Sequence, residues 1–284
     1  VIDRGLGYIL LLDSGNTRLK CRAVSLFHPE LSFQEQILAE TSIANDDIDQ
    51  LGVVLQDYQQ RFGQLVHVYG VSVAGEAIQK HCEAVVGHVV DTASPITWLA
   101  VMQSHLGLQN HYALDQIGKD RWYGVLGAYT HALAQVSGYS AFLYISFGTA
   151  TTIDAVIAQD YVGGVILPGV QLMQRSLFQG TAQLPEVRLP HTPAIAFPKA
   201  TYAAIEAGIA IAQAGAVMRQ VQKFYRDYQR VPSLLVSGGA RKGVLAEIQQ
   251  AYQEWAEPLQ LPPLKLIELE TPVLDGIHQV LLKS

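Results

Sequence analysis

The chain has 284 residues, 49% of them hydrophobic and 15% charged, a balance that supports a substantial core and excludes a disordered chain. Its formal net charge is −6 and its Lys and Arg residues are not clustered. This excludes a binder that draws its affinity from a basic patch on nucleic acid. Two cysteines, Cys21 and Cys82, form neither a CxxC pair nor a disulfide framework and suit a reducing cytoplasm. The apolar run Tyr8 to Leu12 is too short to span a membrane, and Asp13 follows it with no cleavage site. The expectation is a cytoplasmic protein with neither a membrane nor a nucleic-acid partner.

In chain order, Tyr8 to Asp13 predicts a strand apolar on both faces. Ser14 to Thr17 predicts a tight turn, and Leu19 to Ser25 a return strand, giving a hairpin. Asp46 to Phe62 has helical spacing in Ile48, Leu51, Leu55 and Tyr58. Leu65 to Val73 predicts a strand, Gly75 to His81 the start of a helix, and Val85 to Val90 a short strand. Pro95 to Gln116 is mixed, with room for one short helix. Arg121 to Gln135 predicts a helix, followed by strands at Phe142 to Ser146, Thr152 to Ala158 and Tyr161 to Leu167. Met173 to Phe178 predicts a helical piece, and Pro185 to Pro198 a proline-punctuated loop. Thr201 to Tyr228 is the longest predicted helix. Leu234 to Val236 predicts a strand, Lys242 to Trp255 a helix, Leu264 to Glu268 a late strand and Val273 to Leu282 a terminal helix. Alternating strands and helices make the class α/β.

Two stretches repeat one pattern. Ile9-Leu-Leu-Leu-Asp13-Ser-Gly15-Asn-Thr17 and Phe142-Leu-Tyr-Ile-Ser146-Phe-Gly148-Thr149-Ala-Thr151 are each a buried strand that feeds a glycine turn rich in hydroxyl or amide side chains. Glycine lets the backbone approach an anion, and turn N–H groups form a concave donor site. An Asp at the strand end suits a Mg²⁺ ion on the phosphates. Two such turns facing each other would clamp a polyphosphate. A third glycine pair follows a strand at Ser237-Gly238-Gly239. Neither GxxxxGK[ST] nor GxGxxG occurs.

Taken in order, the segments resemble type III pantothenate kinases. Asp13-Ser-Gly-Asn-Thr17-Arg-Leu-Lys20 is similar to the family's first phosphate motif, Gly118-Lys-Asp120-Arg121-Trp122 to its GxDRW segment, and Gly148-Thr149-Ala150-Thr151-Thr152-Ile-Asp154 to its second phosphate motif. Gly163-Gly164-Val-Ile-Leu-Pro168-Gly169 and Thr181-Ala182-Gln-Leu184-Pro185 match two further segments. The resemblance implies a duplicated actin-like ATPase fold of the ribonuclease H-like kind, with domains at residues 1–115 and 116–284 and a cleft between them. It implies a homodimer that phosphorylates the 4′-hydroxyl of pantothenate with ATP and Mg²⁺, the first step of coenzyme A synthesis. Carried over by motif, Asp120 is the general base, and Asp13, Ser14, Gly15, Asn16, Thr17, Arg18, Leu19, Lys20 and Thr149 serve ATP. Asp13 also serves the metal. Tyr112, Gly118, Lys119, Asp120, Arg121 and Thr201 serve pantothenate.

The residues by themselves leave other roles open. Asp120 is also a favoured helix-capping residue, as is Thr201, and Tyr112 could be a packing aromatic. Asp154 is assigned no role, and the nine His residues show no metal-ligand spacing. The second phosphate motif departs from the family at its opening Asp, which is Ser146 here. In the family that Asp helps hold a monovalent cation, K⁺ or NH₄⁺, and a neutral oxygen weakens such a site. An Asn before Thr201 and an Asp after Gly238-Gly239 are also missing. Ser146 favours, as the alternative, a catalytically weakened relative with a regulatory or binding role; the other two losses do not touch Asp120.

Overall fold

The computed structural model describes residues 7–26, 30–90, 95–135, 141–181, 184–185 and 197–282. The chain packs into two compact units, each built from separated stretches of sequence. One takes Val1–Leu106, Ala113–Thr130 and Pro272–Ser284, the other Gly107–Tyr112 and His131–Thr271. This partition differs from a single cut at 115/116, because the segments after residue 113 and after residue 272 pack with the first unit.

The first unit starts with β1 (Tyr8–Ser14), β2 (Arg18–Ser25) and β3 (Ile37–Ala44). A single 3₁₀ turn, Asn45–Asp47, leads into α1 (Gln50–Phe62), β4 (Leu65–Ser72), α2 (Glu76–Val90) and β5 (Thr97–Trp98). The strands form a sheet in the order β3-β2-β1-β4-β5, with β1 antiparallel to β2 and parallel to β4. Leu10 and Leu12 of β1 pack with Leu51, Leu55 and Tyr58 of α1 and with Cys82 and Val86 of α2, all buried. The strand predicted at Val85–Val90 is instead the last part of α2. Cys82 and Val86 stand four apart, so both face the sheet, and a short apolar run does not by itself separate strand from buried helix. The first predicted helix begins at Gln50, not Asp46. Strand β3 buries only Ile43, and its apolar residues do not alternate as a half-buried strand's would.

After β5 come β6 (Ser104–His105), β7 (Leu108–Asn110) and α3 (Lys119–Gln135). No helix forms between Pro95 and Gln116; the expected short helix is replaced by these brief strands. The last helix, α7 (Pro272–Leu282), belongs to the first unit through a buried ion pair. Arg22 of β2 donates to Asp275 at 2.6 Å and to Glu40 of β3 at 2.6 Å. Arg22 is 1% exposed, so breaking the pair would strand a charge in the core.

The second unit repeats the first. Strands β8 (Ala141–Phe147), β9 (Ala150–Ile157) and β10 (Asp160–Pro168) precede α4 (Val170–Gly180), α5 (Thr201–Tyr228), β11 (Ser233–Ser237), α6 (Lys242–Ala256) and β12 (Leu266–Glu268). The sheet order is β12-β11-β8-β9-β10-β7-β6. Read from its centre, β10-β9-β8-β11-β12 reproduces β3-β2-β1-β4-β5 strand for strand. Strand β8 is antiparallel to β9 and parallel to β11, as β1 is to β2 and β4. Leu143 and Ile145 of β8, Leu234 and Val236 of β11, Ile209, Val217 and Val221 of α5, and Val244 and Ile248 of α6 form its core. Helix α5 is long and apolar enough to cross a membrane by length and composition. Its apolar face is accounted for by this core.

Candidate active site

The first glycine turn joins β1 to β2. Gly15 N–H donates to the Arg18 carbonyl at 3.0 Å and closes it. The residue after β3 braces it from outside: Asn45 N–H donates to the Thr17 carbonyl at 3.1 Å, and Asn45 Nδ2 to the Gly15 carbonyl at 2.9 Å. The Ser14 hydroxyl is fully buried and has no hydrogen-bond partner among the described residues. Asn16 and Thr17 are exposed, and neither N–H donates to a backbone carbonyl among the described residues. They are donors facing water, as an anion site requires.

The remaining residues expected to serve ATP divide by side chain. Arg18 turns back onto β3, where its guanidinium donates to Ser42 Oγ at 2.8 Å and to the Ser42 carbonyl at 3.1 Å. Leu19 is fully buried in the core, so only its backbone belongs to the turn. Lys20 stands opposite Asp13 across the hairpin. Opposed residues in an antiparallel pair share a face, which puts the ammonium on the side of the carboxylate.

Asp13 is 8% exposed. Burial lifts its carboxyl from the ordinary carboxylate range to about 6; Lys20 opposes that rise, and the charge on Asp120 adds to it. The expected base and the expected metal carboxylate, far apart in sequence, are therefore electrostatic neighbours in one unit. Asp120 lies in the first turn of α3, which begins at Lys119; it is not the residue before the helix, as a capping role would require. Its Oδ1 accepts the Arg121 N–H at 2.8 Å. The free N–H groups of a first helical turn favour a carboxylate there. A Cβ on Gly118 would come 2.6 Å from that Oδ1, so glycine leaves the carboxylate its room. Arg121 is 6% exposed and Trp122 fully buried, and together they anchor the start of α3; Lys119 is half-buried.

The second turn follows the same plan. Gly148 N–H donates to the Ala150 carbonyl at 3.1 Å, and Gly169, the residue after β10, donates its N–H to Thr149 at 3.1 Å. A Cβ on Gly169 would collide with the carbonyls of Gly148 and Thr149. Gly169 also opens α4, whose first N–H groups have no side-chain cap. Gly238, with φ at +92°, brings the turn after β11 against the Phe147 carbonyl. Buried hydroxyls on Thr151 and Thr152 have no partner among the described residues. Ser146 is half-buried at the end of β8, in register with Ser237 of β11 and Thr152 of β9.

Tyr112 and Thr201 lie in the second unit, apart from the unit that holds Gly118, Lys119, Asp120 and Arg121. The Tyr112 ring stacks on Tyr161 at 6.2 Å and 8°. Tyr161 in turn donates its hydroxyl to the buried Asp154 at 2.8 Å. Asp154, left without a role by sequence, thus props the platform under Tyr112. Thr201 is the first residue of α5 and exposed; Ala200 holds the capping position, so Thr201 is not the cap. Ala182 and Gln183, and most of the proline-punctuated loop, fall outside the described residues. Sequence reasoning missed Asn45 altogether: it sits 30 positions from Gly15 with no motif around it.

No cluster of three or more His, Cys, Asp or Glu residues suited to a metal occurs among the described residues. One buried carboxylate with a second nearby fits Mg²⁺, which keeps most of its waters and is held by one or two carboxylates plus substrate phosphates.

Comparison with known proteins gives the family and the fold. The family model of the type III pantothenate kinases matches residues 9–223. A type III pantothenate kinase from Bordetella petrii is 37% identical over 277 residues, covering 95% of both chains. One from Bordetella pertussis is 35% identical over 271 residues, covering 95% of this chain and 96% of the relative. Among solved structures, a conserved Baf family protein from Campylobacter jejuni superposes with a TM-score of 0.53 at 14% identity, covering 96% of this chain and 98% of the other. A 2-dehydro-3-deoxygalactonokinase-type protein from Sinorhizobium meliloti gives 0.52 at 11% identity, covering 97% and 98%. These structures share the fold, the duplicated α/β arrangement of actin-like ATPases. With its motifs in order, its strand order repeated and its relatives matched nearly end to end, this chain belongs to the type III pantothenate kinase family.

Proposed function

We propose that the chain transfers the γ-phosphate of ATP to the 4′-hydroxyl of pantothenate, the first step of coenzyme A synthesis. The observation that carries this reading is the coupling of Asp13 and Asp120 beside a glycine turn with free donors, in a chain of this family. Phosphoryl transfer needs positioning and charge neutralisation more than covalent help. Asp120 takes the proton as the 4′-oxygen forms its bond to the γ-phosphorus; the bond from that phosphorus to the β-phosphate oxygen breaks, and ADP leaves. Arg121 N–H holds one oxygen of the Asp120 carboxylate and fixes its direction. Asp13 would hold Mg²⁺, which neutralises phosphate charge when bound. The N–H groups of Asn16 and Thr17 hold the phosphates in the first unit, and Ser14 and Thr149 are assigned to ATP by the family motifs alone. By the family motifs, Gly118, Lys119 and Arg121 of the first unit serve pantothenate, and Tyr112 and Thr201 of the second unit are assigned to the same substrate on that ground alone. The alternative of a weakened relative has the Ser146 substitution behind it, but Asp13, Asp120 and the first turn are intact.

Ser146 carries no charge where the family has an Asp, so a monovalent cation gains little there. Val162, Val165 and Ile166 of β10 and Leu172 and Phe178 of α4 expose large apolar side chains. We propose that they meet a second copy in a homodimer. Cys21 and Cys82 are free and buried, in keeping with a cytoplasmic setting.

Three outcomes follow. In a coupled ATP and pantothenate assay, Asp120→Asn lowers turnover by about 10²-fold or more while ATP still binds; near-normal turnover would remove Asp120 from the mechanism. Turnover measured against KCl concentration stays nearly flat; strong activation would show that Ser146 leaves the cation site whole. The third concerns Asp13. Because its carboxyl is raised to about 6, the folded chain keeps a proton between about pH 4 and 6 that the unfolded chain has released. The stability of the protonated form is present at low pH and lost as pH rises through 6. Asp13→Asn therefore raises the unfolding temperature by a few degrees at pH 8 and by much less at pH 4.5; an equal effect at both would contradict it.

A further inference from the structure

We infer that Asn45 is a positioning residue for the nucleotide, acting through the first glycine turn; this rests on the reading of that turn as a phosphate site. The peptide bond is planar. In a trans peptide the C=O of one residue and the N–H of the next point in opposite directions, and the plane turns as one body. Asn45 Nδ2 holds the Gly15 carbonyl at 2.9 Å, and Asn45 N–H holds the Thr17 carbonyl at 3.1 Å. Fixing the Gly15 carbonyl on the Asn45 side turns the Asn16 N–H to the opposite side. There it donates to no backbone carbonyl among the described residues. One side chain thus sets the direction of a donor that it never touches.

Two further observations support a role specific to this turn. The bond to Gly15 is the one hydrogen bond of the Asn45 side chain among the described residues, for its Oδ1 is buried without a partner. The amide is therefore tied to the turn and to nothing else. The second turn supplies an internal comparison. Gly169 occupies the equivalent place after β10 and donates the equivalent backbone bond to Thr149, but has no side chain, and a Cβ there would collide with the turn. The backbone brace is common to both halves; the side-chain brace belongs to the half that carries Asp13. A turn with one peptide plane unpinned would pay to order its donor whenever phosphate binds.

The test compares wild type, Asn45→Ala and Asn45→Asp by calorimetric titration with Mg·ATP, by steady-state kinetics and by thermal unfolding. Ala removes the donor, and Asp keeps the size but turns a carboxylate toward the Gly15 carbonyl. The expected result is about tenfold weaker ATP binding and a matching rise in KM for ATP in Asn45→Ala, with a larger loss in Asn45→Asp. KM for pantothenate stays within twofold, and the unfolding temperature of Asn45→Ala within a few degrees. ATP affinity within twofold of wild type in both variants overturns the inference. So does an equal rise in both KM values, or failure of both variants to fold, since Asn45 would then serve the fold at large. A wild-type chain that binds no ATP would overturn the reading of the turn itself, and the inference with it.

Discussion

A carboxylate almost out of water at the end of a strand is an expensive thing to keep. Asp13, the next-to-last residue of β1, is 8% exposed, and burial lifts its carboxyl to about 6 because it disfavours the charge. Lys20 across the hairpin recovers part of that cost, and Asp120 adds to it. A site chosen for stability alone would carry a neutral side chain there. Such a pair is instead the arrangement that a bound cation would relieve, and under the proposed function Mg·ATP would supply that cation. Perturbed carboxylates of this kind gather where chemistry is done.

Duplication explains how a modest chain builds the rest. The strand order of the first sheet recurs around β8, and each half turns its central hairpin through a glycine braced by the residue that follows its third strand. The halves then diverge at single positions. Asp13 corresponds to Ser146, and Asn45 to Gly169. The first turn is charged and pinned by a side chain. The second is neutral and pressed from two sides by Gly169 and Gly238, with the open start of α4 beside it. One scaffold thus carries two anion-friendly turns of different character, one in each unit.

Much of this was legible because it rests on local patterns. Strand β1 announces itself through five consecutive apolar residues, and α5 through a helical repeat that its bounds match. The two hairpins could be read from glycine and amide residues after buried strands. What stayed hidden depends on contacts distant in sequence. The apolar residues of β3 do not alternate, and only pairing with β2 makes it a strand. Val85–Val90 reads as strand by composition, and the helix wins because Cys82 and Val86 meet the sheet together. Asn45 has no motif, and its partner is a carbonyl that every residue possesses. The capping role open to Asp120 fails for the opposite reason: Gly118 makes room for its carboxylate inside the first turn.

The central claim is that the backbone of the Ser14–Thr17 turn holds the nucleotide's phosphates. Hydrogen–deuterium exchange with and without Mg·ATP tests it most directly. The account predicts that the amides of Asn16 and Thr17 exchange at least several-fold more slowly once Mg·ATP binds. Unchanged exchange at Asn16 and Thr17 under saturating Mg·ATP, with protection appearing elsewhere in the chain, would contradict it.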